Sequence, residues 1–282
     1  MSFTELEVLM FKCDYHTHSY FSFDGDPSSS PEALCESAIS HGVTDLAITD
    51  HFEANYLLDG DTPPYRADEA YDAIAAAKEK YKGRLNLTYG IELGQADQSP
   101  DEVKKLFDSH NFEFVIASIH NLRGEKDFYF FDFSDDEIVA RIYELFESSI
   151  AELCEVIDMP YRIDSVAHLT YMHRYVAMAG KRHDFANHAD SLEKLFKKMI
   201  SNDIALEINV STLCRGLGFA MPDSDILSVY RDCGGRLITV GSDSHSPALV
   251  GNCIDKGFEL VKHIGLNEIL VIRDGERAVI KI

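Results

Sequence analysis

Short apolar runs alternate with longer amphipathic stretches along most of the chain. Met10–Tyr15, Asp45–Thr49, Leu85–Ile91, Phe112–Ile119, Ser165–His168, Ile204–Val210 and Leu237–Val240 are apolar or β-branched and bounded by turn residues. Such runs mark strands buried on both faces, as in a parallel sheet. Between them, Ser30-Pro31 opens a helix over Glu32–His41 that stops at Gly42, with serine as cap, proline at the first helical position and glycine at the exit. Asp68–Lys82, Asp135–Val156, Phe185–Ser201 and Asp223–Cys233 carry helical patterning, and Ser246-Pro247 caps a last helix running to about His263. Seven strand-like runs alternating with helices predict an α/β fold, a closed or nearly closed barrel; the alternative is an open doubly wound sheet.

Composition narrows the partners more than the fold. The chain has 282 residues, 45% of them hydrophobic, and its 26 basic and 48 acidic side chains leave a net charge of -22. A surface so acidic argues against nonspecific binding to nucleic acid or to an anionic membrane, but not against a small anion held by a few arginines. No apolar run approaches the ~18–20 residues of a membrane span. The opening MSFTELEVLMFKCDYHTH lacks the basic and apolar regions of a signal peptide. Cys13, Cys35, Cys154, Cys214, Cys233 and Cys253 form no CxxC pair. They read as free thiols, and the expected location is a reducing cytoplasm.

Chemistry concentrates at the ends of the predicted strands. The runs lead into His16-Thr17-His18, Asp50-His51, Glu92, His120, His168, Glu207-Ile208-Asn209 and Asp243-Ser244-His245. In a barrel the C-terminal strand ends share one rim. Residues i and i+2 of a strand share a face, so His16 and His18, or Asp243 and His245, can address one ion. Imidazole and carboxylate together suit zinc, iron or manganese. The donors exceed what one ion can use, so two or three divalent ions are expected. A single HxH, or a single histidine ending a strand, is more often structural; the ordered set carries the argument. His41, His110, His173, His183, His188 and His263 lie off the strand ends and are expected at the surface or behind the site.

This ordered set resembles the PHP superfamily, named for polymerase and histidinol phosphatase. The matching residues are His16-x-His18, Asp50-His51, Glu92 in GIELG, His120 in ASIH, His168, and Asp243-x-His245 in GSDSH. The resemblance runs from Asp14 to about Pro247. It implies a distorted (β/α)7 barrel, one domain over 1–282, with the metal site at the C-terminal strand ends. Carried over residue by residue, it implies that His16, His18, Glu92 and Asp243 hold one ion. Glu92 bridges to a second ion completed by His120 and His168, and His51 and His245 hold a third. The family's histidine six residues beyond the HxH is replaced here by Asp24; Asp26, two residues further on, is its rival.

The length and the insertion after His120 resemble the histidinol-phosphate phosphatase branch. The function implied is a phosphomonoesterase acting on histidinol phosphate in histidine biosynthesis, with a water activated by the ions as nucleophile. Arg174 and Arg215 are the candidates for gripping the phosphate. Glu92, Asp243 and His245 are the candidate catalytic groups, the last two placed to protonate the leaving group. The partner is then a small phosphorylated substrate, with neither nucleic acid nor membrane involved. Rival readings are a phosphoesterase acting on nucleotides or nucleic-acid ends, and a non-catalytic metal-binding protein. The loop RGEKDFYFFDFSDD is a candidate cover for the site, with Glu125, Asp127, Tyr129 and Phe131 available to read the rest of the substrate; otherwise it is a connection packed by its own aromatics.

Overall fold

The computed structural model describes residues 11–55 and 64–282; Met10, with which the first predicted strand begins, and most of the opening segment lie outside them. The main sheet is parallel. Its strands are β1 (Cys13–Asp14), β2 (Asp45–Ile48), β3 (His51–Glu53), β4 (Asn86–Gly94), β5 (Phe114–Ser118), β6 (Ser165–Val166), β7 (Ala205–Asn209) and β8 (Ile238–Gly241). The order is β1-β2-β4-β5-β6-β7-β8, with β3 resuming the path of β2 against the upper half of β4. All seven predicted runs fall in this order. The two ends then meet. Tyr15 N–H donates to Val240 O (2.9 Å), Asp243 N–H to His16 O (2.8 Å) and His18 N–H to Ser244 O (2.8 Å). A parallel bridge joins Thr17 to Ser244. The sheet is thereby bent into a nearly closed barrel, and helices surround it.

Helix α1 (Pro31–Ser40) begins as its residues dictate. The Ser30 side chain accepts from Ala33 N–H (3.1 Å), Pro31 sits in the first turn, and the chain leaves through Gly42 at φ 74°. Its buried face carries Leu34, Cys35 and Ala38. The predicted Asp135–Val156 helix is two, α4 (Asp136–Ala140) and α5 (Ile142–Ile157), after α2 (Ala67–Tyr81) and α3 (Pro100–Ser109). Phe185–Ser201 divides likewise, into a 3₁₀ turn at Phe185–Asn187 and α7 (Ala189–Ser201), following α6 (Tyr171–Met178). Ser246-Pro247 starts only a short 3₁₀ turn. Gly251 at φ 71° and Cys253 at φ 57° prevent a continuous helix, so α10 (Ile254–His263) begins later, after α8 (Ser211–Cys214) and α9 (Ser224–Asp232). No helix among the described residues is long and apolar enough to cross a membrane.

The cysteines depart from expectation. Cys214 and Cys253 are joined as a disulfide, with Cα atoms 5.9 Å apart, while Cys13, Cys35, Cys154 and Cys233 are free. The pair is 39 residues apart in sequence and meets because the segments after β7 and β8 are neighbours on the rim. That proximity is a product of sheet order and leaves no trace in cysteine spacing.

An antiparallel hairpin, β9 (Glu268–Arg273) and β10 (Glu276–Lys281), follows the barrel. Its turn is Asp274-Gly275, both at positive φ, as a tight hairpin turn requires. Arg273 pairs with Asp45, the first residue of β2, at 2.8 and 3.0 Å, so the hairpin covers the end of the barrel opposite the histidines. Tyr15, 1% exposed, both donates to Ile272 O (3.0 Å) and accepts from Ile272 N–H (2.6 Å) through its hydroxyl. Tyr15→Phe strands both groups and is expected to lower stability by about 1–3 kcal/mol. Urea unfolding measures this, and an unchanged midpoint would show that the hairpin is not anchored through this hydroxyl.

Candidate metal centre

The carboxylate of Glu92 lies at the middle of the rim with no solvent exposure. Its two oxygens face different histidines. Oε2 lies 3.1 Å from His16 Nε2, 3.1 Å from His51 Nδ1 and 3.5 Å from His18 Nε2. Oε1 lies 2.8 Å from His168 Nε2 and 3.2 Å from His120 Nε2. Asp243 Oδ1 is 3.5 Å from His18 Nε2 and 3.7 Å from His245 Nδ1. Three groups of close donors follow from the sequence candidates: His16, His18 and Asp243; His16, Glu92 and His168; and His18, His51 and His245. Asp24 completes the last, its oxygens 3.1 Å from His245 Nε2 and 3.7 Å from His51 Nε2. Asp26, its rival, accepts from Ser28 N–H (2.8 Å) and Ser28 Oγ–H (2.6 Å), shaping the turn.

The electrostatics suit cations. Burial alone would raise the Glu92 carboxyl pKa, but His16, His51 and His120 outweigh it and hold it well below the usual range. Burial, then the neighbouring His245 and His51, push His18 down to about 3. A neutral imidazole is the form that binds metal. His18 Nε2 and His51 Nδ1 are buried without a hydrogen-bond partner, which is the state of donor atoms awaiting an ion. The donor set therefore fits divalent metals, with mixed nitrogen and oxygen ligands open to zinc, iron or manganese.

Behind the donors stands a layer that sequence reasoning only partly found. Glu207, one of the strand-end candidates, faces the other way: Oε1 accepts from His16 Nδ1–H (2.7 Å) and Oε2 from His168 N–H (2.7 Å). It fixes the ring of His16 with Nε2 toward the centre. Asp50 accepts from Ser19 N–H, Ser19 Oγ–H and Ser22 Oγ–H at 2.6–3.0 Å. Ser22 Oγ in turn lies 3.1 Å from His18 Nδ1. Glu53 was missed. It is buried with Oε1 2.9 Å from His120 Nδ1 and 3.2 Å from His51 Nδ1, and it falls in a fourth donor group with these two. Burial opposes its charge, but His120 and His51 prevail and hold its carboxyl down at about 2. Its signal was present, since Glu53 lies two residues beyond His51 on the same strand face. Gly94 makes room for it, because a Cβ there would come within 2.4 Å of Glu53 Oε2.

The centre opens into a cavity of about 430 Å³ whose lining includes Arg174, Arg215, Asp127, Tyr129 and Phe130. Arg174 is buried and donates to Asp243 Oδ2 and to Ser211 Oγ, both at 2.8 Å. Arg215 is exposed at the edge. From the loop after His120, Asp127 and Tyr129 face the cavity, but Glu125 turns away to pair with Arg141 (2.6 Å) and Phe131 is buried in the core. Of the remaining histidines, His110 pairs with Asp68, while His188, expected outside or near the site, is buried against Glu147 and His183.

A parallel barrel with histidines and carboxylates at successive strand ends is the architecture of metal-dependent barrel hydrolases. The chain belongs to the PHP domain family, which matches it over residues 14–211. It is 28% identical over 266 residues to the histidinol-phosphatase of Lactococcus lactis subsp. lactis, covering 92% of this chain and 94% of that one. A histidinol-phosphatase of Bacillus subtilis is 21% identical over 261 residues, covering 86% of this chain and 96% of its own. The crystal structure of the Lactococcus lactis histidinol phosphate phosphatase, complexed with zinc, L-histidinol and phosphate, superposes with a TM-score of 0.74 at 24% identity, over 95% of this chain and 98% of that one.

The two aspartates of the FDGD segment separate by experiment. Asp24→Ala is expected to lower the metal content of purified protein by one equivalent, while Asp26→Ala keeps it. Elemental analysis of both variants side by side decides, and loss of metal in Asp26→Ala alone would reverse the assignment. Glu207→Gln should weaken metal retention by ~10- to 100-fold, read as the chelator concentration that strips the protein.

Proposed function

We propose that this chain is a histidinol-phosphate phosphatase, releasing L-histidinol and inorganic phosphate in histidine biosynthesis. The observation that carries this reading is Glu92, shared between two sets of histidines, of which His51, His120 and His168 line a cavity together with Arg174 and Arg215. The relatives bearing that activity span nearly the whole chain.

In this reading His16, His18, Glu92 and Asp243 hold one ion, Glu92, His120 and His168 a second, and Asp24, His51 and His245 a third. Bound divalent ions supply charge for the phosphoryl oxygens and acidify a water to serve as nucleophile. The chain's own groups do the rest. Arg174 is held through Nη2 by Asp243 and Ser211 and lines the cavity, so the rest of its fork is left for phosphoryl oxygens. Burial works against its charge, and Asp243 more than offsets this, so it remains protonated. Arg215 adds a planar fork from the edge. The proton for the leaving alkoxide has to come from a group not bound to an ion, since His245 and Asp243, the donors expected from sequence, both serve as ligands in this reading. The small cavity and the net charge of -22 disfavour nucleic-acid ends, which need a basic track. A cytoplasmic setting accompanies this reading.

Phosphate release from a panel of esters tests it. Histidinol phosphate should exceed nucleoside monophosphates in kcat/KM by at least ~10-fold, and a reversed order would replace this reading with a nucleotide phosphoesterase. Arg215→Ala should lower kcat/KM by ~10- to 100-fold, the worth of a charge-assisted hydrogen bond, with metal content unchanged.

A further inference from the structure

The disulfide joins two segments of unequal footing on the rim. Cys253 stands on a fixed one. It immediately precedes α10, whose Ile254 and Val261 are fully buried. Gly257 seats that helix so closely on the barrel that a Cβ there would come within 2.6 Å of Val240 Cγ1 and 3.0 Å of Val210 Cγ1. Two residues ahead of Cys253, Gly251 N–H donates to the buried Asp14 carboxylate (2.7 Å). Cys214 instead ends α8, a single turn of four residues. The start of that turn is tied down, Ser211 through Arg174 and Asn209, and Thr212 through Phe219 O. Among the described residues, Leu213, Cys214 and Arg215 make no side-chain hydrogen bond, and backbone bonds such as Arg215 N–H to Ser211 O (3.1 Å) close the turn. Arg215 and Gly216 are exposed, and the chain leaves through Gly216 and Gly218 at φ 76° and 85°.

Packing does not make up the difference. A cleft of about 560 Å³ lies beside the turn, lined by Leu213, Gly218 and Phe219 and by Lys256, Glu259 and Leu260 of α10. The Cys214–Cys253 bond is the covalent link between the loose turn and the fixed helix. Arg215, next in the chain after Cys214, lines the cavity over the metal donors, so what holds Cys214 also places Arg215. The chemistry of the pair suits opening and closing. Both cysteines are half-buried. Cys253 stands at the N-terminus of α10, where Lys12 pairs with Asp255 (3.3 Å), and Cys214 adjoins a guanidinium; both settings favour thiolate. Burial, by contrast, pushes the Cys13 thiol well up and that of Cys35 up to about 12, which keeps them unreactive. A permanent cross-link would suit an oxidising compartment; in the cytoplasmic setting proposed above a disulfide forms and opens.

We infer that Cys214 and Cys253 are a reversible redox site, oxidised by peroxides and reduced by dithiols, that sets how firmly Arg215 is held for phosphate. The Cys253 thiolate takes one oxygen from hydrogen peroxide, whose O–O bond breaks to leave hydroxide, and becomes a sulfenic acid. The Cys214 thiol attacks that sulfur, the S–S bond forms and the oxygen leaves as water. In sum two thiols and one peroxide give one disulfide and two waters. A dithiol returns two electrons and two protons and is itself oxidised to a disulfide. With the bond closed, Arg215 is already placed and loses less freedom on meeting phosphate. With it open, the turn relaxes about Gly216 and Gly218, and phosphate is held more weakly. Asp243 and His245 precede the anchored Gly251, so the metal donors keep their places. The role of Arg215 rests on the phosphatase reading above; the control exerted through Cys214 goes beyond it.

Zinc-loaded protein is treated with hydrogen peroxide or with a dithiol, freed of reagent, and compared in thiol count, zinc content and calorimetric affinity for inorganic phosphate. Alkylation after unfolding should find four thiols in the oxidised form and all six cysteines in the reduced one, with the Cys214–Cys253 link recovered by peptide mass. The oxidised form should bind phosphate ~2- to 10-fold more tightly, the worth of one side chain immobilised beforehand, at equal zinc content. The KM for histidinol phosphate should shift in the same sense, with kcat changed less. Cys253→Ser, which cannot form the bond, should show the weaker affinity under both treatments. Arg215→Ala should still form the bond but lose the difference between the two forms. Six thiols after peroxide, equal phosphate affinity in the two wild-type forms, or a difference that survives in Arg215→Ala each overturns the inference. Absence of hydrolysis in both forms, with the shift in phosphate affinity present, overturns the phosphatase reading and supports the redox site.

Discussion

Burying the Glu92 carboxylate beyond reach of water is the constraint around which the upper end of the barrel is arranged. An isolated buried carboxylate would be driven to its neutral form. Here five imidazoles approach its two oxygens within 3.5 Å, and it stays ionised. The same compensation invites cations, because the ring nitrogens and carboxylate oxygens that neutralise one another in the bare protein are those that ions bind. Mutual satisfaction of this kind also explains why these groups sit so close before any ion arrives.

Holding that arrangement falls to the layer behind it. Glu207 fixes His16, Ser22 and Asp50 fix His18, and Glu53 links His51 to His120. Backbone spacing matters as much. A Cβ at Gly241 would meet His16 Cβ at 2.3 Å and Glu207 Oε1 at 2.5 Å, so glycine there lets β8 approach β1. Two donors also sit in backbone regions that side-chain-bearing residues avoid, His168 at φ 21° and Asp243 at φ 55°. Each is held by a hydrogen bond through its own N–H, to Glu207 and to His16 O respectively. Strain of this kind persists where surrounding contacts over-determine it.

Much of this was legible in the residues. Parallel strands buried on both faces give unbroken apolar runs, and the donor residues follow those runs directly, so barrel and candidate ligands could be read together. Asp24 was reachable through its offset from His18. What escaped depends on folding the chain back on itself. The partner of Cys214 is set by which loops adjoin on the rim. Glu207 carries the same side-chain chemistry whether it faces an ion or the far nitrogen of a histidine, and only the sheet decides which. The hairpin is a different case. Asp274-Gly275 between two apolar stretches is a strong local signal, but it lies outside the alternating βα rhythm that predicts the barrel. The interruptions at Arg141 and near Cys253 lie inside stretches whose periodicity continues across the break.

Closure of the barrel has a kinetic side. Asp14 accepts hydrogen bonds from Ser242, 228 residues away, and Tyr15 is tied to Ile272, 257 residues away. His16 and His18, near the beginning of the chain, meet Asp243 and His245 only when β8 docks against β1. Contacts of such separation form late, because chain entropy must be lost before they contribute. During synthesis the first histidines emerge far ahead of their partners. They can be joined into a working centre only after β8 and the segment following it have left the ribosome. Partial chains therefore expose an unfinished cluster of imidazoles, and metal capture by the finished site belongs to the last events of folding.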